Sequence, residues 1–233
     1  MNKPEATHVP LRFKAVIFDL DGTLLDTLGD LADAMNAVLS GNRLPTHPVD
    51  AYRNFVGEGI AQLVRRALPF EVADEADLNH FVGEMQREYR MRWTCRTRPY
   101  PGIEEMLAAL CRSGLQLAVL SNKPDEAVRH LVGALLSPEV FHRVLGAGAE
   151  RPRKPDPAAA LEIAAGLKVD PPEVVFVGDS AIDMQTAVAA GMFPAGALWG
   201  FRPQAELLAA GARRLFELPR DVSAWLCREE VRD

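Results

Sequence analysis

Cysteine is nearly missing from this chain: Cys95, Cys111 and Cys227 are the three in 233 residues. An odd number without metal-type spacing points to reduced cytosolic thiols rather than a disulfide framework. Blocks of basic residues are missing too, and the formal net charge is −6. That balance argues against nucleic acid or an anionic membrane surface as the main partner, although a few local cations could still hold a small anion. The apolar runs are short and interrupted, so none spans a bilayer. The stretch from Met1 to Lys14 carries Pro4, Glu5 and Pro10 and no apolar centre of a signal peptide. It is expected to be a loose leader into the first strand of a cytoplasmic protein. No internal repeat and no low-complexity segment interrupts the rest.

What the chain does have is core-forming material, 48% hydrophobic residues, which excludes gross disorder. Val16 to Phe18 reads as a strand buried on both faces, as in a parallel sheet. The period then changes. Leu28, Leu31, Met35, Val38 and Leu39 mark one helix face, with Thr27 or Asp26 as its N-cap. Ile60, Leu63, Val64, Ala67 and Leu68 mark a second helix, and Leu78, Phe81, Val82, Met85 and Tyr89 a third. No strand is evident between Thr27 and Thr97, which suggests an all-helical insert inside an α/β pattern. Arg98 to Gly102 is turn chemistry and the expected point of re-entry. Strands and helices alternate from Ile103 onward. The strands are placed at Leu115–Leu120, Val144–Leu145, Val174–Val177, Ala195–Leu198 and Arg214–Phe216. Repeated βα units imply a doubly wound parallel sheet. The expected division is an α/β core from residues 1–26 and 97–233, with a small helical domain from 27–96.

The chemistry-bearing residues sit where strands end. The first strand closes in Asp19-Leu20-Asp21-Gly22-Thr23. Two acids two residues apart would repel in a dry site unless a cation joins them or one keeps its proton. Gly22 allows a sharp turn, and Thr23 offers a hydroxyl and an amide to an anion. In Ser121-Asn122-Lys123-Pro124 a second apolar strand ends in a hydroxyl residue before a helix, whose first amides suit an anion. Each of these stretches could equally be ordinary helix capping. Arg151 to Pro157 holds Lys154 among three prolines that fix its backbone, with Arg151 and Arg153 as solvated neighbours. Gly178-Asp179-Ser180-Ala181-Ile182-Asp183 brings two further acids to one helix N-terminus, where acids are favoured in any case.

In that order, FDLDGTLLDT, Ser121, Lys154 in its KPxP context and GDxxxD resemble the four motifs of the haloacid dehalogenase-like phosphohydrolases, and the likeness runs from Lys14 to the C-terminus. The resemblance implies a Rossmann-like core with a helical cap that closes over the site and excludes water. It implies Asp19 as the nucleophile that forms an aspartyl-phosphate and Asp21 as the acid that protonates the leaving oxygen, then activates water. Hard oxygen ligands point to Mg²⁺ rather than Zn²⁺. Asp19 and Asp179 would bind it by side chain and Asp21 by its carbonyl, with Asp183 supporting them from behind. Gly22, Thr23, Ser121, Asn122 and Lys154 would hold the phosphoryl group.

Within the family, Asp26 to Leu31 and the loop Val56-Gly57-Glu58-Gly59 with Leu63 to Leu68 resemble bacterial phosphoglycolate phosphatases. Gly57, Glu58 and Gly59 are expected at the pocket mouth, with helix amides or Arg65 and Arg66 as donors to a second anion on the substrate. Pyrophosphate, sugar phosphates and nucleotides remain alternatives. The family's dehalogenases lack the second acid that Asp21 supplies. Its phosphonate hydrolases need a lysine in the cap, and residues 27–97 contain none. A phosphomutase usually has a histidine where Thr27-Leu28-Gly29 stands, and a silent binding protein would have lost a nucleophile or ligand. The expected partner is a small phosphorylated metabolite, and the expected assembly a monomer or homodimer.

Overall fold

The computed structural model describes residues 13–69, 75–148 and 151–227. The leader expected over Met1 to Lys14 lies almost wholly outside the described residues. The central strand β1, Ala15–Phe18, is buried throughout. It pairs in parallel with β4, Gln116–Pro124, on one side and with β6, Val174–Gly178, on the other. Outside these lie β5, Phe141–Ala147, next to β4, and β7, Phe193–Ala197, then β8, Arg214–Phe216, beyond β6. The sheet is six-stranded, in the order β5-β4-β1-β6-β7-β8, and every neighbouring pair is parallel.

Side chains alternate across a strand, so each face of this sheet needs its own cover. Val16, Phe18, Leu117, Val119, Val175 and Val177 face one layer, packed by α4, Ile103–Arg112, α5, Asp125–Leu135, and α9, Pro219–Leu226. Ala15, Ile17, Ala118, Leu120, Val174 and Phe176 face the opposite layer, with α6, Ala158–Leu167, and α7, Ala181–Ala189. A further helix, α8, Gln204–Ala209, leads to β8. The chain runs from β1 to β4, outward to β5, then back across to β6. The order therefore reverses at β1, and a ligand crevice is expected outside the carboxyl ends at such a switch point.

Between β1 and β4 the chain leaves the sheet through β2, Leu25–Asp26, and returns through β3, Arg98–Pro99. The two pair antiparallel, Leu25 with Pro99 and Asp26 with Arg98. The sequence offers no strand signal here because two residues carry no periodicity. Among the described residues, three α-helices lie between: α1, Leu28–Gly41, α2, Ile60–Ala67, and α3, Glu75–Arg90. They bury Leu31, Met35, Leu39, Leu63, Val64, Phe81, Met85 and Tyr89 in a core of their own. Thr27 stands at the cap of α1, while Asp26 accepts the Leu28 amide at 3.3 Å. Inside α1, the buried Asp30 carboxylate accepts the amides of Arg96 and Thr97 and the Thr97 hydroxyl, at 2.7–3.0 Å. The start of the helical segment is thereby tied to its end.

Two strands are longer than their apolar runs. β4 continues through Ser121, Asn122 and Lys123, with an irregular register between Leu120 and Pro124. β5 starts three residues before Val144 and ends two after Leu145. Pairing with a neighbour holds polar residues in extended form where pattern alone does not announce them. Among the described residues, no helix is long and apolar enough to cross a membrane, and the three cysteines are free thiols.

Candidate active site

Four strand ends deliver the site. Asp19 follows β1, Ser121 and Asn122 lie near the end of β4, Lys154 comes from the turn after β5, and Asp179 follows β6. Lys154 Nζ lies 2.8 Å from Asp19 Oδ1 and 2.6 Å from Asp183 Oδ1, in a setting where both lysine and Asp183 are fully buried. The remaining Asp183 oxygen accepts the Ser180 amide at 3.1 Å and the Ser180 hydroxyl at 2.6 Å, closing a capping box on α7. Asp179 Oδ1 accepts the Thr23 hydroxyl at 3.2 Å, and its Oδ2 accepts the Phe201 amide at 2.7 Å. The Trp199 indole donates to the Thr23 carbonyl at 2.9 Å, so the loop after β7 braces the turn after β1.

Asn122 spends its amide on geometry. It donates to the Lys154 carbonyl at 3.0 Å and to the Gly57 carbonyl at 3.2 Å, and it accepts the Lys154 amide at 2.8 Å. One side chain thus fixes the Lys154 turn and touches the helical segment. Glycines permit the crowding around Asp179. A Cβ on Gly200 would stand 2.3 Å from Asp179 Cβ, and one on Gly22 would stand 2.3 Å from Asp179 Oδ2. Gly22 also has φ +82°, which a side chain would resist.

Carboxylate oxygens of Asp19, Asp179 and Asp183 lie within 4.8 Å of one another. Among the described residues, one cation, Lys154, pairs with these three buried acids, through Asp19 and Asp183. Burial foremost pushes the Asp19 carboxyl up to about 7; Asp183 and Asp21 push the same way, and Lys154 opposes them. Burial, then Asp183 and Asp19, also raise Asp179 well above the ordinary carboxyl value. Burial would lower Lys154, but Asp183 and Asp19 outweigh it and hold the ammonium above its usual value. Oδ1 of Asp19 has the Lys154 ammonium as its one close partner, and Oδ1 of Asp21 is buried and accepts no hydrogen bond. An excess of buried carboxylate with uncommitted oxygens is the donor set of a hard divalent cation, so these residues fit Mg²⁺.

The pocket over this floor is bordered by Asp19, Asp21, Ser121 and Asp179 below and by Leu31, Val56, Gly57, Gly59, Ile60 and Leu63 above. Gly57 and Gly59 line this pocket. Glu58 does not line it and pairs with Arg66 instead. Arg65 and Arg66 do not reach it either, because Leu63, Val64 and Ala67 turn inward and put both arginines on the outer face of α2. The cations at the pocket are Lys123 and Arg202. Lys123 Nζ lies 3.1 Å from Asp21 Oδ2, and Arg202 Nη2 donates to the Val56 carbonyl at 3.0 Å. Lys123 and the loop from Trp199 to Arg202 lie outside the site roles expected from sequence. For Lys123 the only available signal was a lysine retained at a buried strand end. For Phe201 and Arg202 there was none.

A family model of the haloacid dehalogenase-like hydrolases matches residues 13–191. The chain belongs to that family. It is 36% identical over 187 residues to a phosphoglycolate phosphatase of Nitrosospira multiformis, covering 79% of this chain and 82% of that one. To the phosphoglycolate phosphatase of Neisseria meningitidis it is 37% identical over 192 residues, with 81% of each chain covered. A crystal structure from Lactobacillus delbrueckii subsp. bulgaricus, provisionally given the same name, matches with a TM-score of 0.87 at 30% identity, over 94% of this chain and all of that one. With the family come the enzyme class and the fold: the chain is a phosphatase-like hydrolase on a haloacid dehalogenase-like α/β core.

Proposed function

We propose that this chain is a Mg²⁺-dependent phosphomonoester hydrolase of the cytoplasm that works through an aspartyl-phosphate and prefers 2-phosphoglycolate. The observation that carries the reading is the placement of Asp19. It stands at the switch point of the sheet, borders the pocket, and has its charge shared by Lys154.

Asp19, as the carboxylate, attacks phosphorus, and the bond from phosphorus to the leaving oxygen breaks. Asp21 supplies that oxygen with its proton, worth typically ~10²–10⁴ in rate. The released alcohol, glycolate, departs. Asp21 then takes a proton from water as the water oxygen attacks phosphorus; the bond to Asp19 breaks and inorganic phosphate leaves. Lys154 favours the ionised form of Asp19 against its burial and would face the phosphoryl oxygens with Ser121. Asp19, Asp179 and the Asp21 carbonyl are the residues that would hold Mg²⁺, with Asp183 fixed behind them by Lys154 and Ser180. The metal's chemistry when bound is to neutralise charge on the phosphoryl group. The helical segment 27–96 serves as a cap: Leu31, Val56, Ile60 and Leu63 cover the pocket with apolar surface and exclude water.

Preference for phosphoglycolate rests on the named relatives and on Arg202, a cation at the pocket beyond the phosphate floor. The test is a panel of phosphomonoesters, pyrophosphate and sugar phosphates assayed with Mg²⁺. Phosphoglycolate is expected to give the highest kcat/KM. A better pyrophosphate or hexose phosphate would overturn the specificity and leave the phosphatase reading standing.

A further inference from the structure

Two lysines are buried in the site, and they divide its acids between them. Lys154 serves Asp19 and Asp183. Lys123, whose side chain is 3% exposed, lies 3.1 Å from Asp21 Oδ2. Its ammonium also donates to the Tyr89 hydroxyl at 2.8 Å and sits 4.4 Å from the centre of the Tyr89 ring. Tyr89 belongs to α3 and is buried in the core of the helical segment, 1% exposed. A line of polar contacts therefore runs from the helical segment through β4 to the acid of the first motif.

The two oxygens of Asp21 are not equivalent along that line. Asp21 borders the pocket; its Oδ2 is taken by Lys123, while its Oδ1 is buried and accepts no hydrogen bond. A buried ion pair is a poor source of stability, since desolvation offsets most of its attraction. Its main effect here is directional. We propose that Lys123, steered by the Tyr89 hydroxyl, is a positioning residue that turns Oδ1 of Asp21 toward the leaving oxygen. The proposal rests on the acid role given to Asp21 above. It assigns a task to a residue outside the four motifs and makes the seating of α3 a condition for correct aim of the acid. A displacement of Tyr89 would release Lys123, and Asp21 would lose the contact that selects one rotamer.

The experiment compares two leaving groups. Expulsion of an alkoxide from phosphoglycolate needs a proton, whereas 4-nitrophenolate leaves from 4-nitrophenyl phosphate with little help. kcat/KM reports the phosphoryl-transfer step for both. Tyr89→Phe removes one oxygen and keeps the packing, and is expected to lower kcat/KM for phosphoglycolate about tenfold, and for 4-nitrophenyl phosphate about twofold or less, as a misaimed acid should. Lys123→Met should show the same pattern with a larger loss on phosphoglycolate. Asp21→Asn, the reference, should discriminate most. If Asp21→Asn discriminates between the substrates but Tyr89→Phe lowers both equally, Lys123 and Tyr89 are plain struts and the inference fails while the acid role stands. If Asp21→Asn itself lowers both equally, the acid role fails and takes the inference with it. Should Lys123→Met not fold, Tyr89→Phe alone decides.

Discussion

The floor and the roof of the pocket are built on opposite principles. On the floor, Asp19, Lys154, Asp179 and Asp183 are buried and ionisable; an amide and a hydroxyl hold the two oxygens of Asp179, and Ser180 and the Lys154 ammonium hold the two of Asp183. The roof meets the pocket with Leu31, Val56, Ile60 and Leu63 and with two glycines at positive φ, Gly57 at 123° and Gly59 at 90°. Little on the floor can change without leaving a buried charge unpaired, a cost of several kcal/mol. The roof is apolar surface of the right shape, and such surface tolerates exchange of one hydrophobe for another at about 1 kcal/mol. On the proposed function, the contrast assigns the reaction to the floor and the choice of substrate to the roof.

The sharpest way to break that division is Asp19→Asn. The fold should persist, because the amide keeps the shape of the side chain and Lys154 keeps its pairing with Asp183, yet turnover should drop at least ~100-fold, since an amide is a poor nucleophile and a poor metal ligand. Activity above about one hundredth of wild type in a pure preparation would move the chemistry off this residue.

A roof substitution should divide the kinetic parameters instead. At Gly59, a Cβ would stand 3.1 Å from Arg153 Nη1 and 3.4 Å from the Asn122 carbonyl, on a backbone already left-handed. Gly59→Val should cut kcat/KM for phosphoglycolate roughly tenfold through a misplaced loop, and Mg²⁺ affinity, followed by calorimetry, should be nearly unchanged. A large loss of metal affinity would show that roof and floor are not separate.

Acidification probes the floor alone. In the metal-free protein Asp19 keeps its proton up to about 7, against 3.8 for an ordinary aspartate. A raised folded-state value means that this carboxyl favours the folded state fully below the ordinary value and loses that contribution as pH climbs through 7. Mg²⁺ takes the ionised form, so protons compete with it. The rise in Tm on adding Mg²⁺ to EDTA-treated protein should therefore be small near pH 5 and grow to a plateau near pH 8. A metal-induced rise that ignores pH would mean that Asp19 is ionised throughout.

The smallest effect belongs to the outer face of the roof. Arg65 is exposed on α2 and points away from the pocket. Arg65→Ala should leave kcat/KM within about twofold and stability within ~0.5 kcal/mol. A strong rise in KM for phosphoglycolate would bring this arginine back as the contact for the second anion.

The same division explains how much of the protein could be read before its structure was seen. Asp19, Asp21, Gly22 and Thr23 are consecutive in the chain and follow an apolar strand, so sequence neighbours announce spatial neighbours. Asp179 and Asp183 are held by one helix turn and are legible for the same reason. Buried faces of α1 and α3 emerged from the 3.6-residue period. Lys123 did not emerge, since its meaning depends on Tyr89 and Asp21, brought together from three separate elements. Arg65 and Arg66 misled because composition shows that a helix carries arginines but not which face a tertiary partner will cover. The strands β2 and β3 escaped notice because each is two residues long.

That short ribbon has a consequence for how the protein can vary. Leu25 pairs with Pro99, and Asp26 with Arg98, so the chain departs from the sheet and returns to it at one spot. Everything between is topologically a single loop whose ends are already clasped. The entropic cost of such a loop rises only with the logarithm of its length, about 0.6 kcal/mol per doubling. Residues can therefore be gained, lost or exchanged between the two short strands without moving the register of β1 against β4 or β6. The catalytic strand ends are insulated from changes overhead, and one reaction can be offered to many substrates by re-roofing it.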